Sequence, residues 1–247
     1  MGLADIITDC NSIVFVHGFT GHPEQTWTQK KANLSPPEPD KSIEDQSKSR
    51  KRTAVSSFPK SRGVFWPRDL LQHTIPNARV LTFGYDSHVK HWLGPSVNKS
   101  TVYDIAWDFL VSLEANRRQE PSWSSRPLVF VAHSLGGIIV KEALRRSHLA
   151  PQIHFRMVCE STVGIIFFGT PHGGADPRNF LCNVAEKLFK AVGVQVNEQV
   201  VNTLLPSSER LRELRDEFTP IISERGWVIH SFQEQYGIRW LSGKKVL

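Results

Sequence analysis

Five apolar runs of strand length recur along the chain, and amphipathic segments of helical length separate them. The runs read SIVFVHGF, ARVLTFGY, PLVFVAHS, VGIIFFGT and WVIHSF. Because they are apolar throughout, they predict central strands of a mostly parallel sheet with helices on both faces. The segments between them have helical apolar spacing and read WPRDLLQHTI, STVYDIAWDFLVSLEANRR, GGIIVKEALRRSHL and SSERLRELRDEFTPIISERG. This order predicts a doubly wound α/β fold, whose ligands bind beyond the carboxyl ends of the strands.

One segment departs from this alternation. Residues 33–63 are rich in Pro, Ser and charged residues and contain few large apolar side chains, so they cannot bury enough surface to order themselves. We predict that they form a flexible insertion within a single domain spanning residues 1–247. A chain of this length builds one core in many α/β folds.

The charge and cysteine content narrow the class of protein. The chain carries 30 Lys and Arg residues against 24 Asp and Glu, and residues 48–62 alone hold six basic residues and no acidic one. A basic excess confined to one Ser- and Pro-containing stretch indicates a solvated loop, so we predict no nucleic-acid binding. Three widely spaced cysteines fit neither a disulfide framework nor a zinc site. With no signal peptide or membrane span in the sequence we expect a cytoplasmic protein, and peripheral membrane contact stays open.

The strongest chemical motif lies where the third apolar run meets the following helix. The sequence VFVAHSLGGIIVKEALRR places Ser134 at this junction, with Ala132 before it and Gly136 after it. This is the pattern of a nucleophile elbow, whose tight turn requires small residues two positions before and after the serine. The helix that follows directs N–H groups and its positive dipole end toward a developing oxyanion. An ordinary small-residue turn is the alternative, and we expect His133 to point away from Ser134.

Two further loops follow apolar runs and are expected to line the same site. The first run ends in His17 and Gly18, and such a loop supplies one N–H group of the oxyanion hole in acyl-transfer hydrolases of this architecture. We assign the two oxyanion N–H groups to Phe19 and Leu135, with an ordinary strand-end turn as the alternative. The fourth run leads into GTPHGGAD, where His172 is expected to shape the loop and not to transfer protons, because the usual chain order is serine, acid, histidine.

Six ordered motifs carry a resemblance to a known family. They read HGFTGHPEQTW, WPRDLL, ARVLTFGYD, VFVAHSLGGIIVKEAL, GIIFFGTPHGG and SFQE. Over residues 13–234 the chain resembles the serine esterase and lipase group that includes GPI inositol-deacylase-like and SERAC-like hydrolases. It is most similar to a fungal branch, whose members occur alone or as the N-terminal domain of NLR-type receptors. The resemblance implies an α/β-hydrolase fold and hydrolysis of lipid-like or acyl esters through an acyl-Ser134 intermediate.

The resemblance also implies where the other catalytic groups lie. The last apolar run ends in Glu234, which we take as the triad acid; Asp176 is the second choice, because some members of the fold draw the acid from that earlier loop. The fold normally places the catalytic histidine after the acid, yet none of the thirteen residues after Glu234 is a histidine. The segment GKKVL resembles the start of the final connection. One expectation is therefore that the chain stops before the last strand, helix and histidine of the fold.

Three hypotheses about function follow. The first is an active serine esterase, and the second is a weak or inactive pseudo-hydrolase that acts as an effector or interaction module. The third is an N-terminal fragment of a longer enzyme or receptor, with further domains fused to it or associated with it. Residues 176–206 have a helical, moderately apolar character, which suits either a lid or core packing. The sequence contains no metal cluster, dinucleotide fingerprint or phosphate loop, so we predict no metal, no cofactor and a small-molecule or lipid ester substrate.

Overall fold

A five-stranded parallel sheet forms the centre of the protein. The structure is a computed structural model that describes residues 11–19, 21–29, 63–85, 101–119, 126–172, 182 and 207–232. Its members are β1 (Ser12–Val16), β4 (Arg79–Phe83), β5 (Leu128–His133), β6 (Thr162–Phe168) and β7 (Val228–Phe232). They lie in the order β4-β1-β5-β6-β7, and all neighbouring strands are parallel. These strands match the five apolar runs, so the predicted α/β fold class is confirmed.

Within the described residues, four α-helices cover one face of this sheet and form the larger core with it. They are α1 (Val102–Arg118), α2 (Leu135–Leu149), α3 (Ile153–Ser161) and α4 (Ser208–Arg225). Helix α1 begins at a capping box between Thr101 and Asp104, and α4 ends at Gly226, whose φ of 64° is left-handed. The apolar spacing predicts α1, α2 and α4. It does not predict α3, because that helix is short and mixes His, Arg and Glu with its apolar residues.

Short elements cover the opposite face and form a smaller core. They are a 3-10 turn (Gln25–Trp27), the antiparallel pair of β2 (Thr28–Gln29) and β3 (Val64–Phe65), a π-helical turn (Pro67–Leu71) and an α-helical turn (Gln72–Thr74). The segment WPRDLLQHTI thus forms one continuous helical stretch over residues 66–74, as predicted, in which residues 67–71 are π-helical. It stops at Thr74 because Pro76 disfavours helical backbone at Ile75, where φ is −135° and ψ is 74°.

Several sequence predictions fall outside the described residues. They concern the insertion at residues 33–63, of which Gly63 is described, and the candidate lid at residues 176–206, of which Cys182 is described. They also concern both acid candidates, Glu234 and Asp176. Strands β2 and β3 flank the inserted segment on either side. They pair with each other, so Gln29 and Val64 lie side by side.

The strand order creates one point where the chain connections diverge. Strand β1 lies between β4 and β5, and the chain passes from β1 to β4 on one side and then crosses to β5 on the other. In doubly wound sheets, the ligand crevice opens at the carboxyl ends of such a strand pair. The residues that follow these two ends are His17 and Ser134. The two strongest motifs in the sequence therefore meet where the fold favours a ligand.

Candidate active site

Ser134 has a strained backbone between β5 and α2. Its φ of 51° and ψ of −120° make it the single non-glycine residue with positive φ in the part of the chain that the structure describes. Such a conformation costs about 1–3 kcal/mol and persists only where its surroundings enforce it. The Ser134 N–H donates to the Phe168 carbonyl at 2.8 Å, and the Ser134 carbonyl accepts from the Gly137 N–H and the Thr170 hydroxyl at 3.1 and 3.2 Å. Contacts from β6, the loop that follows it and α2 therefore hold the serine in place.

Glycines allow three chain segments to meet around Ser134. A Cβ on Gly136 would lie 2.5 Å from the carbonyl oxygens of both Val16 and His17, and one on Gly18 would lie 2.8 Å from Ser134 Cβ. Backbone atoms cannot move aside cheaply, so these positions require glycine. This close packing is the physical origin of the small-residue pattern, and it brings the loop after β1 against the serine.

His17 supports that loop from inside the core. Its ring is fully buried and stacks on Tyr85, with ring centroids 4.3 Å apart. Nδ1 lies 2.9 Å from the Gly18 carbonyl and carries the proton, because a carbonyl oxygen only accepts. The Tyr85 hydroxyl donates to the His17 carbonyl at 3.0 Å, and burial raises the pKa of this hydroxyl far above its ordinary value. His17 and Tyr85 thus position the loop that lies against Ser134.

The two expected oxyanion donors belong to segments that border the serine. Leu135 is the first residue of α2, and Phe19 follows Gly18 and packs against the larger core. Because Gly18 lies against Ser134, both segments face the same space. The positive end of the α2 dipole adds to the potential that favours an anion there. The assignment of the two N–H groups to an oxyanion hole stays a prediction.

Within the described residues, no side chain hydrogen-bonds to the Ser134 hydroxyl, so the structure identifies no acceptor for its proton in that part of the chain. The ring of His133 lies on the side of the smaller core, edge-on to Trp27 with ring centroids 6.4 Å apart. His133 therefore points away from the α2 side of the sheet, as neighbouring positions of a strand do.

His172 belongs to a hydrogen-bonded chain at the base of the loop after β6. Its Nδ1 lies 2.9 Å from Lys141 Nζ on α2, and its Nε2 lies 3.2 Å from the Ser231 hydroxyl on β7. Burial, together with the Lys141 charge, lowers the pKa of His172 to about 4, so the ring is neutral at pH 7. Burial, and secondarily Arg215, lowers the pKa of Lys141 to about 8. These contacts support the prediction that His172 shapes the loop.

Four residues that matter to the local geometry lie within the quoted motifs, yet the motifs predict no role for them. Thr170 and Tyr85 hold the backbone on either side of the serine, and Lys141 and Ser231 hold His172. One signal was available for Lys141. Its spacing from Ile138 and Ser134 places it on the helix face that carries buried residues, where a lysine is unusual.

Comparison with known proteins finds distant relatives. No protein family model matches the chain. The chain is 27% identical over 223 residues to Protein SERAC1 of Danio rerio, and 25% identical over 224 residues to Protein SERAC1 of Homo sapiens. Each alignment covers 90% of this chain and 30% of the relative. The chain therefore spans about 30% of the length of the curated relatives it matches.

The similarity to Protein SERAC1 agrees with the SERAC-like part of the motif resemblance. The GPI inositol-deacylase-like, fungal and receptor-linked parts stay predictions. Among solved structures, the crystal structure of Bacillus licheniformis lipase BlEst2 in mature form covers 90% of this chain and 64% of that chain, with a TM-score of 0.44 and 17% identity. A likeness of that degree carries no inference about function. The described helices include none that is long and apolar enough to cross a membrane.

Proposed function

We propose that the chain is a serine hydrolase that cleaves carboxylic esters of lipid-like or acyl type through an acyl-Ser134 intermediate. The observation that carries this proposal is the strained Ser134 backbone at the divergence point of the sheet, enclosed by Gly18 and Gly136. A strained serine between a strand and a helix exposes its hydroxyl to the ligand crevice, which is the arrangement of a nucleophile elbow. The similarity to Protein SERAC1 supports the same proposal through the SERAC-like resemblance.

In the proposed reaction, Ser134 Oγ attacks the ester carbonyl, the alcohol leaves, and water then releases the acid from acyl-Ser134. The N–H groups of Phe19 and Leu135 would stabilise the oxyanion that forms in each step. Glu234, or Asp176 as the second choice, would orient the base. The reaction also needs an imidazole to accept the Ser134 proton, and no described histidine hydrogen-bonds to the Ser134 hydroxyl.

A second candidate is a pseudo-hydrolase that works by binding, as an effector or interaction module. The observation that favours it is the Ser134 hydroxyl, which lacks a hydrogen-bond partner within the described residues. Loss of one triad member lowers the rate by several orders of magnitude, although an oxyanion hole and substrate binding still accelerate the reaction about 10³- to 10⁴-fold over water. Measured turnover therefore separates the two candidates.

The proposal extends to the domains that accompany the chain and to its location in the cell. Because the chain spans about 30% of the curated relatives, we propose that it acts together with further domains, fused or associated. The cysteine pattern supports a cytoplasmic location, since Cys159 and Cys182 are both free. Peripheral membrane contact would bring lipid-like esters to the crevice.

Ester hydrolysis tests the proposal. Wild-type protein is assayed with p-nitrophenyl esters of short and long acyl chains, beside Ser134→Ala and the matched control Ser223→Ala, which changes an exposed serine on α4. We expect Ser134→Ala to lose at least about 10³-fold in kcat and Ser223→Ala to retain wild-type rates. Equal rates for Ser134→Ala and wild type would contradict the hydrolase proposal. Absence of turnover in wild-type protein would favour the binding module.

A further inference from the structure

Three side chains from three different elements form one hydrogen-bonded chain beside the elbow. Lys141 on α2 contacts His172 in the loop after β6, and His172 contacts Ser231 on β7, at 2.9 and 3.2 Å. The Lys141 ammonium also lies over the Phe167 ring, 5.4 Å from its centroid. These contacts thus connect helix α2 to strands β6 and β7.

The charge of Lys141 is poorly compensated. Its side chain is 5% exposed, and within the described residues no carboxylate lies at ion-pair distance. Arg215 on α4 lines the same small cavity, so the second charge that faces Lys141 is also positive. The remaining titratable side chain that lines this cavity is His172, which is neutral. A buried lysine without an anionic partner lowers the stability of the fold. The hydrogen bond from Lys141 to His172 therefore indicates what the lysine does at this position.

The partner of that bond defines the tautomer of His172. A lysine ammonium has three donors and no acceptor, so the Nδ1 atom that it contacts must present a lone pair. In the neutral ring the proton then lies on Nε2, and Nε2–H donates to the Ser231 hydroxyl. In this state, neither ring nitrogen of His172 is available to accept a proton from a serine.

We propose that Lys141 is a positioning residue that holds His172 in the Nε2–H tautomer, and thereby fixes residues 169–172, which follow β6, against the elbow. The end of β6 and this segment make the contacts that enforce the serine backbone, through the Phe168 carbonyl and the Thr170 hydroxyl respectively. The Gly169 N–H also donates to the Phe232 carbonyl at 2.8 Å, so β7 holds the segment from the other side. The link to catalysis rests on the proposed function of Ser134.

The same tautomer excludes a second nucleophile in this region. Ser231 is exposed and contacts a histidine, which is the outward pattern of an activated serine. An activated serine must donate its hydrogen bond, and then its proton, to the ring, whereas Ser231 accepts a hydrogen bond from Nε2–H. The contact therefore fixes the position of the ring and leaves Ser231 unactivated.

The tautomer can be measured directly. The full chain, labelled with ¹⁵N in its histidines, is studied by NMR at pH 7 as wild type, as Lys141→Met and as the matched control Arg212→Met, which removes an exposed positive charge from α4. We expect a single Nε2–H tautomer for His172 in wild type and in the control. In Lys141→Met, which keeps an unbranched side chain one atom shorter but removes the donor, we expect a mixture of both tautomers. A wild-type Nδ1–H tautomer or imidazolium, or an unchanged tautomer in Lys141→Met, would overturn the inference.

A second readout connects the tautomer to Ser134. Labelling by a fluorophosphonate should slow at least about tenfold in Lys141→Met, because small displacements of a reacting group are costly, while the melting temperature does not fall. Slower labelling without loss of stability distinguishes positioning from a merely structural role. Unchanged labelling would overturn the link to the elbow. Absence of labelling in wild type would contradict the proposed function, whereas the His172 tautomer would still decide whether Lys141 holds the ring.

Discussion

Two neighbouring residues of α2 bury opposite charges in contrasting surroundings. Glu142 is 1% exposed, and both of its carboxylate oxygens accept hydrogen bonds, from Arg145 at 2.9 Å and from Arg146 at 2.6 Å. Lys141 is 5% exposed, and its partner within the described residues is a neutral histidine. One helix therefore contains a well-compensated buried charge and a poorly compensated one, side by side.

The difference separates a structural role from a functional one. Arg145 extends the Glu142 cluster to Glu217 on α4 at 3.0 Å, so that cluster ties two helices together. Lys141 faces the loop that holds Ser134, and its burial works against stability. Local features that lower stability are expected where function requires them. The following predictions test this contrast, beginning with the largest expected effect.

Removal of Glu142 should destabilise the fold strongly. In Glu142→Ala, two arginines lose their carboxylate, and the loss of one partner of a buried pair costs about 3–5 kcal/mol. The side chains of Arg145 and Arg146 are 17% and 28% exposed, so water compensates in part and we expect a loss of about 3 kcal/mol. Urea unfolding of the variant and wild type measures it. A loss below about 1 kcal/mol would contradict the structural role of Glu142 and with it the contrast to Lys141.

Removal of Lys141 should raise the free energy of unfolding. The pKa of Lys141 falls from its ordinary 10.5 to about 8 on folding, which corresponds to a penalty of about 3 kcal/mol at pH 7. Lys141→Met removes that penalty but leaves His172 Nδ1 without a donor, at a cost of about 1–3 kcal/mol. We expect a net gain of about 1 kcal/mol in the free energy of unfolding, measured by the same method. Destabilisation by more than about 1 kcal/mol would show that the lysine supports the fold.

The lowered pKa of Lys141 should also make the stability of the fold depend on pH. Between pH 8 and 10.5, the unfolded chain binds a proton at Lys141 that the folded chain has released. Folded protein is therefore favoured as the pH rises through this window, and the penalty disappears near pH 10.5. From pH 8 to 9 wild type should gain about 1 kcal/mol relative to Lys141→Met. Parallel pH profiles of the two proteins would contradict the lowered pKa.

The elements predicted correctly from sequence are those whose signals are local. The strands are continuous apolar runs, and the elbow is a strand, a serine with small neighbours and a helix in direct succession. Lys141 gave only its helical spacing as a signal, and a lysine within an amphipathic helix normally reaches solvent. Its burial depends on α4, whose residues lie more than sixty positions further along the chain. Thr170 was missed for the same reason, since only the fold brings its hydroxyl to the Ser134 carbonyl.

The site of covalent modification by a fluorophosphonate tests the central claim most directly. Wild-type protein is incubated with the reagent and digested, and tandem mass spectrometry locates the phosphonate. If Ser134 is the nucleophile, one phosphonate per chain is found on Ser134, and Ser134→Ala carries none. Wild-type protein that stays unmodified, or that carries the phosphonate on Ser231 or another serine, would contradict the assignment of Ser134 as the nucleophile.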